Sequence, residues 1–206
     1  MEGTQHLRKL VSVPLTDFSV LEDFNSGIES MDTFIRGDFR YSVENHFCQA
    51  YVVMLDEEVV ALFALSFDSL DLDFENKEEL QSGVSSVGTP NVDWNYQDIF
   101  YSKPRYPALD IAYLAVQEKW RGKHIGDFLI KKIADLACSQ TLAGCQFLTV
   151  EALATSKYSA VGFYDRCGFT ANEFKKPYKD TLRMYMPLTS RMKSGTTTGA
   201  SDRCKM

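Results

Sequence analysis

The sequence contains no run of about 18 consecutive apolar residues, so no membrane-spanning helix is expected. Its opening, MEGTQHLRKL, has no apolar stretch of the length that a secretion signal needs. Cys-x-x-Cys pairs are missing. The five cysteines, Cys48, Cys138, Cys145, Cys167 and Cys204, are scattered and odd in number. That pattern speaks against a disulfide framework and against a zinc knuckle, and no metal ligands are expected. Together these absences point to a cytoplasmic protein whose thiols stay reduced, most of them acting as small buried apolar groups. No internal repeat is visible. Neither a Gly-Lys-Ser/Thr phosphate loop nor a Gly-x-Gly-x-x-Gly fingerprint occurs, which removes two common nucleotide-binding motifs.

The 206 residues are 45% hydrophobic and 24% charged, enough for one domain with a sizeable core and short for two. We read a single domain over 1–190, with an acidic insert at about 71–98, and a flexible polar tail over 191–206. The net charge of -6 is uneven. Between Phe67 and Asp98 stand eight acids (Asp68, Asp71, Asp73, Glu75, Glu78, Glu79, Asp93, Asp98) against one base, Lys77. Lys119, Arg121, Lys123, Lys131 and Lys132 cluster elsewhere, a local basic patch able to attract a phosphorylated ligand.

LRKLVSVPL reads as a first strand. Ser30 can cap a helix with Met31, Phe34, Ile35 and Phe39 on one side. Gln49–Leu55 and Val59–Leu65, split by Asp56-Glu57-Glu58, read as an antiparallel hairpin. Leu109–Val116 is the next strand, followed by an amphipathic helix over Gly126–Ala137 whose apolar face holds Ile125, Phe128, Leu129, Ile133, Leu136 and Ala137. Gln146–Ala152 is a strand, Ser156–Arg166 a short helix stopped at Gly168, and Leu182–Leu188 a last strand. The fold class is α/β (α+β): a mixed, mostly antiparallel sheet flanked by helices. The segment 109–152 forms a parallel strand–helix–strand crossover.

Between that strand and its helix sits QEKWRGKHIG. A helix that starts just past a buried strand presents unpaired N–H groups and a positive dipole end to an anion. Gly122 and Gly126 let the backbone turn and a phosphate approach, and Arg121 and Lys123 add full charges. The spacing alone leaves open a plain tight turn with solvated charges.

The stretch LAVQEKWRGKHIGDFLI resembles the central Gln/Arg-x-x-Gly-x-Gly/Ala motif of the GNAT superfamily of acyl-CoA-dependent N-acyltransferases. Arg121 and Gly126 match, and His124 stands where the family has its first glycine. Downstream, SAVGFYDRCGF (Ser159–Phe169) is similar to the family's Ala-x-x-Phe-Tyr-x-x-x-Gly-Phe segment. The resemblance covers roughly Val11 to Leu188 and implies acetyl-CoA or another acyl-CoA as co-substrate. It implies that Arg121, Gly122, Lys123, His124, Ile125 and Gly126 hold the pyrophosphate. The pantetheine arm would then run along Leu114, Ala115 and Val116, where this strand and the next splay apart. It also implies that Tyr164 is the general acid for the departing thiolate.

For the general base the residues leave Glu151 and Asp110, each with a surface or salt-bridged role as its plainer reading, and Tyr113 beside them; Asn172 and Tyr158 are weaker entries. Strand alternation would put Asp110, Ala112, Leu114 and Val116 on one face, with Ile111, Tyr113 and Ala115 on the other.

The expected reaction moves an acetyl group to a primary amine of unnamed identity. LEDFNSGIESMDTFIR is similar to a stretch in the toxin-type GNAT branch, carried here by Phe24, Gly27, Met31, Asp32, Phe34, Ile35 and Arg36. That branch acetylates aminoacyl-tRNA, a partner that the acidic charge disfavours. A non-catalytic acyl-CoA-binding module is the third reading. The sequence leaves a homodimer open.

Overall fold

The computed structural model describes residues 6–72, 77–78, 80, 97–172 and 180–188. Most of the acidic insert and the whole of the 191–206 tail lie outside them. Seven strands form one sheet in the order β1-β2-β3-β4-β5-β7-β6: β1 Val11–Pro14, β2 Gln49–Leu55, β3 Glu58–Asp71, β4 Arg105–Val116, β5 Phe147–Leu153, β6 Thr170–Ala171 and β7 Thr181–Pro187. All neighbouring pairs are antiparallel except β4 with β5, as expected for the crossover. The α-helices among the described residues are α1 Glu29–Arg36, α2 Phe39–Glu44, α3 Gln97–Ser102, α4 Ile125–Ser139 and α5 Val161–Arg166.

Each face of the sheet has its own apolar layer. On one, α4 lays Ile125, Leu129, Ile130, Ile133, Ala134 and Ala137 against Phe63, Ile111, Leu148 and Met186. On the other, α1 and α2 bring Ile35 and Phe39 onto Ala50, Leu62 and Ala115. Each large side chain buried this way contributes roughly 1.5–3 kcal/mol. The face of α4 is rotated from the sequence expectation: Leu136 is 46% exposed, and Ile130 and Ala134 take its place in the core. A stripe at i, i+4, i+5, i+8 and i+9 fits the sheet better than one built on every apolar residue.

The N-terminal helix also differs. Ser30 lies inside α1, and the cap position is Ile28, which makes no side-chain cap bond. Phe39 belongs to α2, since α1 stops at Gly37. The helix expected over Ser156–Arg166 is helical only from Val161. The Thr155 hydroxyl accepts from the N–H groups of Lys157 and Tyr158, and this local bonding holds the first residues in a turn.

Two bulges shape the sheet. In β4, Ala64 pairs with Tyr113 and Leu65 with Ile111, so Ala112 is the extra residue. The regular alternation expected for this strand fails there. Ile111 shares the α4 face with Leu114 and Val116, while Tyr113 and Ala115 pack on the α1–α2 face. A one-residue bulge flips every side chain beyond it, which separates Asp110 from Leu114 and Val116.

Candidate active site

β4 and β5 pair only over Ala108↔Phe147, Leu109↔Leu148 and Asp110↔Thr149. β5 continues along β7 to Leu153, and β4 continues along β3 to Val116, so the two diverge into a fork. Beyond Asp110 the edge of β4 away from β3 has no strand partner among the described residues.

A cavity of about 460 Å³ occupies this fork. One wall is β4 at Leu114, Ala115 and Val116; another is the polar loop at Arg121, Gly122, His124, Ile125 and Gly126. Ala160, Phe163, Tyr164 and Arg166 close the side toward β5, and Ser26, Ile28 and Met31 the side toward α1. Of the sequence-expected cofactor residues only Lys123 is outside the lining; its ammonium lies 3.9 Å from the ring centre of Trp120. A larger concavity of about 650 Å³ lies between Asp17, Phe18, Arg36 and Arg40 and contains no residue of the loop from Arg121 to Gly126.

The loop's geometry is set residue by residue. Trp120 donates its indole N–H to Glu58 at 2.7 Å, and Lys119 pairs with the same carboxylate at 2.7 Å. The Gln117 side chain donates to the Val59 carbonyl, also at 2.7 Å. These bonds moor the loop to the β2–β3 hairpin. Gly122 has φ 71°, and nothing lies within 4 Å of where its Cβ would be. His124, standing where the family motif has glycine, has φ 60°, a left-handed conformation that favours glycine. It caps α4 without a side-chain hydrogen bond, so no side chain at that position takes the N–H groups that open this 15-residue helix. Arg121, 5.7 Å from the ring centre of Tyr158, and Arg166 add positive charge along the cavity. The arrangement fits a diphosphate: main-chain donors, a bare Cα and two guanidinium groups. Gly126, which lines the cavity, also has a packing role. A Cβ there would lie 3.0 Å from the Phe163 ring, so its smallness lets α5 pack against α4.

Tyr164 is 6% exposed, with its ring edge-on to Phe163 and Phe169. Burial pushes its phenol above the ordinary value, with Tyr158, Asp110 and Cys167 acting in the same direction, so the proton stays on the oxygen at neutral pH.

Neither carboxylate candidate lines the cavity. Asp110 and Glu151 gather with Asp68 around Arg183 of β7, a residue that sequence reasoning missed. Arg183 Nη2 pairs with Asp68, and Nη1 lies 3.2 Å from Asp110 and 3.5 Å from Glu151. Thr149 directs its hydroxyl to Asp68 at 2.6 Å and to Asp110 at 3.1 Å. A hydroxyl has one proton, and the shorter contact takes the larger share. Asp68 is accordingly held below the usual carboxylate value: burial opposes this, and the Thr149 hydroxyl and Arg183 outweigh it. Burial pushes Asp110 up to about 6, against the pull of Arg183 and with Asp68 adding to the rise. Glu151 also accepts from Thr181 at 3.1 Å. The one sequence signal for Arg183 was a lone charge inside the apolar strand LRMYMPL.

The turn before α1 also explains its motif. Phe24 is core; Asp32 is buried and accepts from the Ser26 N–H at 2.7 Å; Gly27 has φ 72°, and a Cβ there would meet Glu118 at 2.9 Å. The turn thus holds Ser26, Ile28 and Met31 against the cavity.

No curated protein matches the chain by sequence. The family model for an acetyltransferase (GNAT) domain matches residues 87–171. A tyrosine-to-phenylalanine mutant of the AtaT toxin, bound to the C-terminus of the antitoxin AtaR and acetyl-CoA, is similar in structure at a TM-score of 0.60, with 17% identity over 88% of this chain and 95% of that one. AtaT complexed with acetyl-methionyl-tRNAfMet is similar at 0.62, with 20% identity over 88% and 96%. A tyrosine-to-phenylalanine mutant of KacT is also similar at 0.62, with 16% identity and the same two coverages, 88% and 96%. At such identities the likeness is one of fold. The forked sheet and the loop opening α4 agree with that likeness of fold, and residues 87–171, which include β4, α4 and β5, match the model of an acetyltransferase (GNAT) domain.

Proposed function

We propose that the chain transfers an acetyl group from acetyl-CoA to a primary amine by direct attack. The observation that carries this reading is the meeting, in one cavity, of the uncapped α4 N-terminus, the free edge of β4 and Tyr164. Bound acetyl-CoA would supply the acetyl group as a thioester. The N–H groups from Arg121 to Gly126, with Arg121 and Arg166, would hold its diphosphate. The edge of β4 at Leu114, Ala115 and Val116 would pair with its amide-bearing arm, and a main-chain N–H there would polarise the carbonyl.

Tyr164 keeps its proton at neutral pH and gives it to the sulfur as the carbon–sulfur bond breaks. Asp110, whose carboxylate ionises near pH 6, takes the proton lost by the attacking amine, through water. Glu151 is the weaker candidate base, since its side chain is 40% exposed and shared with Thr181. No cysteine nucleophile enters. The likeness to AtaT complexed with acetyl-methionyl-tRNAfMet favours a second reading, in which the acceptor is the amino group of an aminoacyl-tRNA. The net charge of -6 weighs against it.

The test is calorimetric titration with CoA and acetyl-CoA, then a thiol-release assay against polyamines, amino acids and charged tRNA. Saturable binding with turnover on any amine supports the transferase reading; binding without turnover leaves an acyl-CoA-binding module. Turnover on charged tRNA alone, with rates falling steeply as salt rises, selects the second acceptor. Absence of CoA binding overturns the reading.

A further inference from the structure

Arg183 joins four strands at one point. It rises from β7, pairs with Asp68 of β3, reaches Asp110 of β4 and lies beside Glu151 of β5. That point is the root of the fork, because Asp110↔Thr149 is the last register pair between β4 and β5. The Arg183 side chain is only 8% exposed. A buried arginine facing three carboxylates leaves the cluster with an excess of negative charge, and whether Asp110 is ionised depends on how that charge is shared.

The groups that face Asp110 come from every neighbouring element. Asp68 reaches it from β3, Thr149 and Glu151 from β5, and Arg183 from β7. Tyr113, further along β4, and Tyr164 of α5 both lie within range of its charge. Arg183 is the positive group of this set. Loss of the guanidinium would leave Asp68 and Glu151 repelling any charge on Asp110. Loss of the Asp68 charge would do the reverse, since Arg183 would then serve Asp110 more fully.

We infer that Arg183 is a positioning residue for acetyl transfer, holding the Asp110 carboxylate at the root of the fork in its proton-accepting form. Asp68 shares the same guanidinium, so the two residues act on Asp110 with opposite sign. The inference rests on the reading of Asp110 as the proton acceptor.

The experiment is the pH profile of kcat/KM, by thiol release with acetyl-CoA and the best amine of the panel, for wild type and four variants. Wild type should show an acidic limb that Asp110→Asn abolishes. In Arg183→Gln the limb moves to higher pH by about one to two units. In Asp68→Asn it moves to lower pH, and Arg183→Lys, which keeps the charge, lies between wild type and Arg183→Gln. A merely structural role would lower the rates without moving the two limbs apart. If Asp110→Asn keeps the wild-type limb, Asp110 is not the base and the underlying reading fails. If Asp110→Asn removes the limb but Arg183→Gln leaves it in place or lowers it, the positioning role of Arg183 is overturned. Should Arg183→Gln fail to fold, Arg183→Lys decides the matter: a limb that stays at the wild-type pH overturns the positioning role of Arg183.

Discussion

The Phe163 ring stands against the bare Cα of Gly126, with two ring carbons 3.0 Å from where a Cβ would sit. The contact joins the first turn of α4 to α5, and α5 also bears Tyr164. The glycine that the loop motif requires is therefore tied to the position of the proposed acid.

Gly126→Val should force Phe163 aside and lower unfolding stability by about 1–3 kcal/mol. Urea denaturation checks the stability, and CoA titration should show weaker binding in the same variant. Unchanged stability would mean that α5 moves freely relative to α4.

Tyr164→Phe removes the hydroxyl and keeps the packed ring. We expect kcat to fall by about 10²-fold or more, with CoA affinity unchanged. Single-turnover kinetics with saturating acetyl-CoA provide the measurement, and a wild-type rate would remove Tyr164 as the acid.

His124 holds a left-handed conformation with φ 60° on an exposed loop. His124→Gly should raise stability by about 1 kcal/mol, because glycine adopts that φ without a Cβ clash. Thermal unfolding reads this as a rise in Tm. A fall would show that the 3.5 Å contact of His124 with Asp127 outweighs the backbone strain.

Asp110 makes stability depend on pH. Its folded-state pKa, about 6, lies above the ordinary carboxylate value of 3.8, so the folded state binds more protons between those two pH values. The contribution is present below about pH 4 and is lost as pH rises through about 6. Over that window wild type should lose on the order of 2–3 kcal/mol relative to Asp110→Asn. Denaturation curves at pH 4, 5, 6 and 7 compare the two, and parallel profiles would refute the assignment.

The crossover, the hairpin and the loop opening α4 were legible in the sequence because each is written in neighbouring residues. Alternation marks strands, a 3.6-residue period marks α4, and glycines with basic residues mark the turn that lines the cavity. Tyr164 was legible through the motif around it. The bulge at Ala112 was not: nothing in LDIAYLAV departs from regular alternation, and only the register against β3 reveals the extra residue.

Local sequence thus determined most of the strands and helices and the loop that opens α4, since those depend on short-range sterics and periodicity. The tertiary structure alone decided that Asp68, Asp110 and Glu151, spread over more than eighty positions, meet at the buried side chain of Arg183. It also decided that Gly126 answers to Phe163. Both relationships depend on strand order, register and helix packing, which are properties of the whole chain folded together.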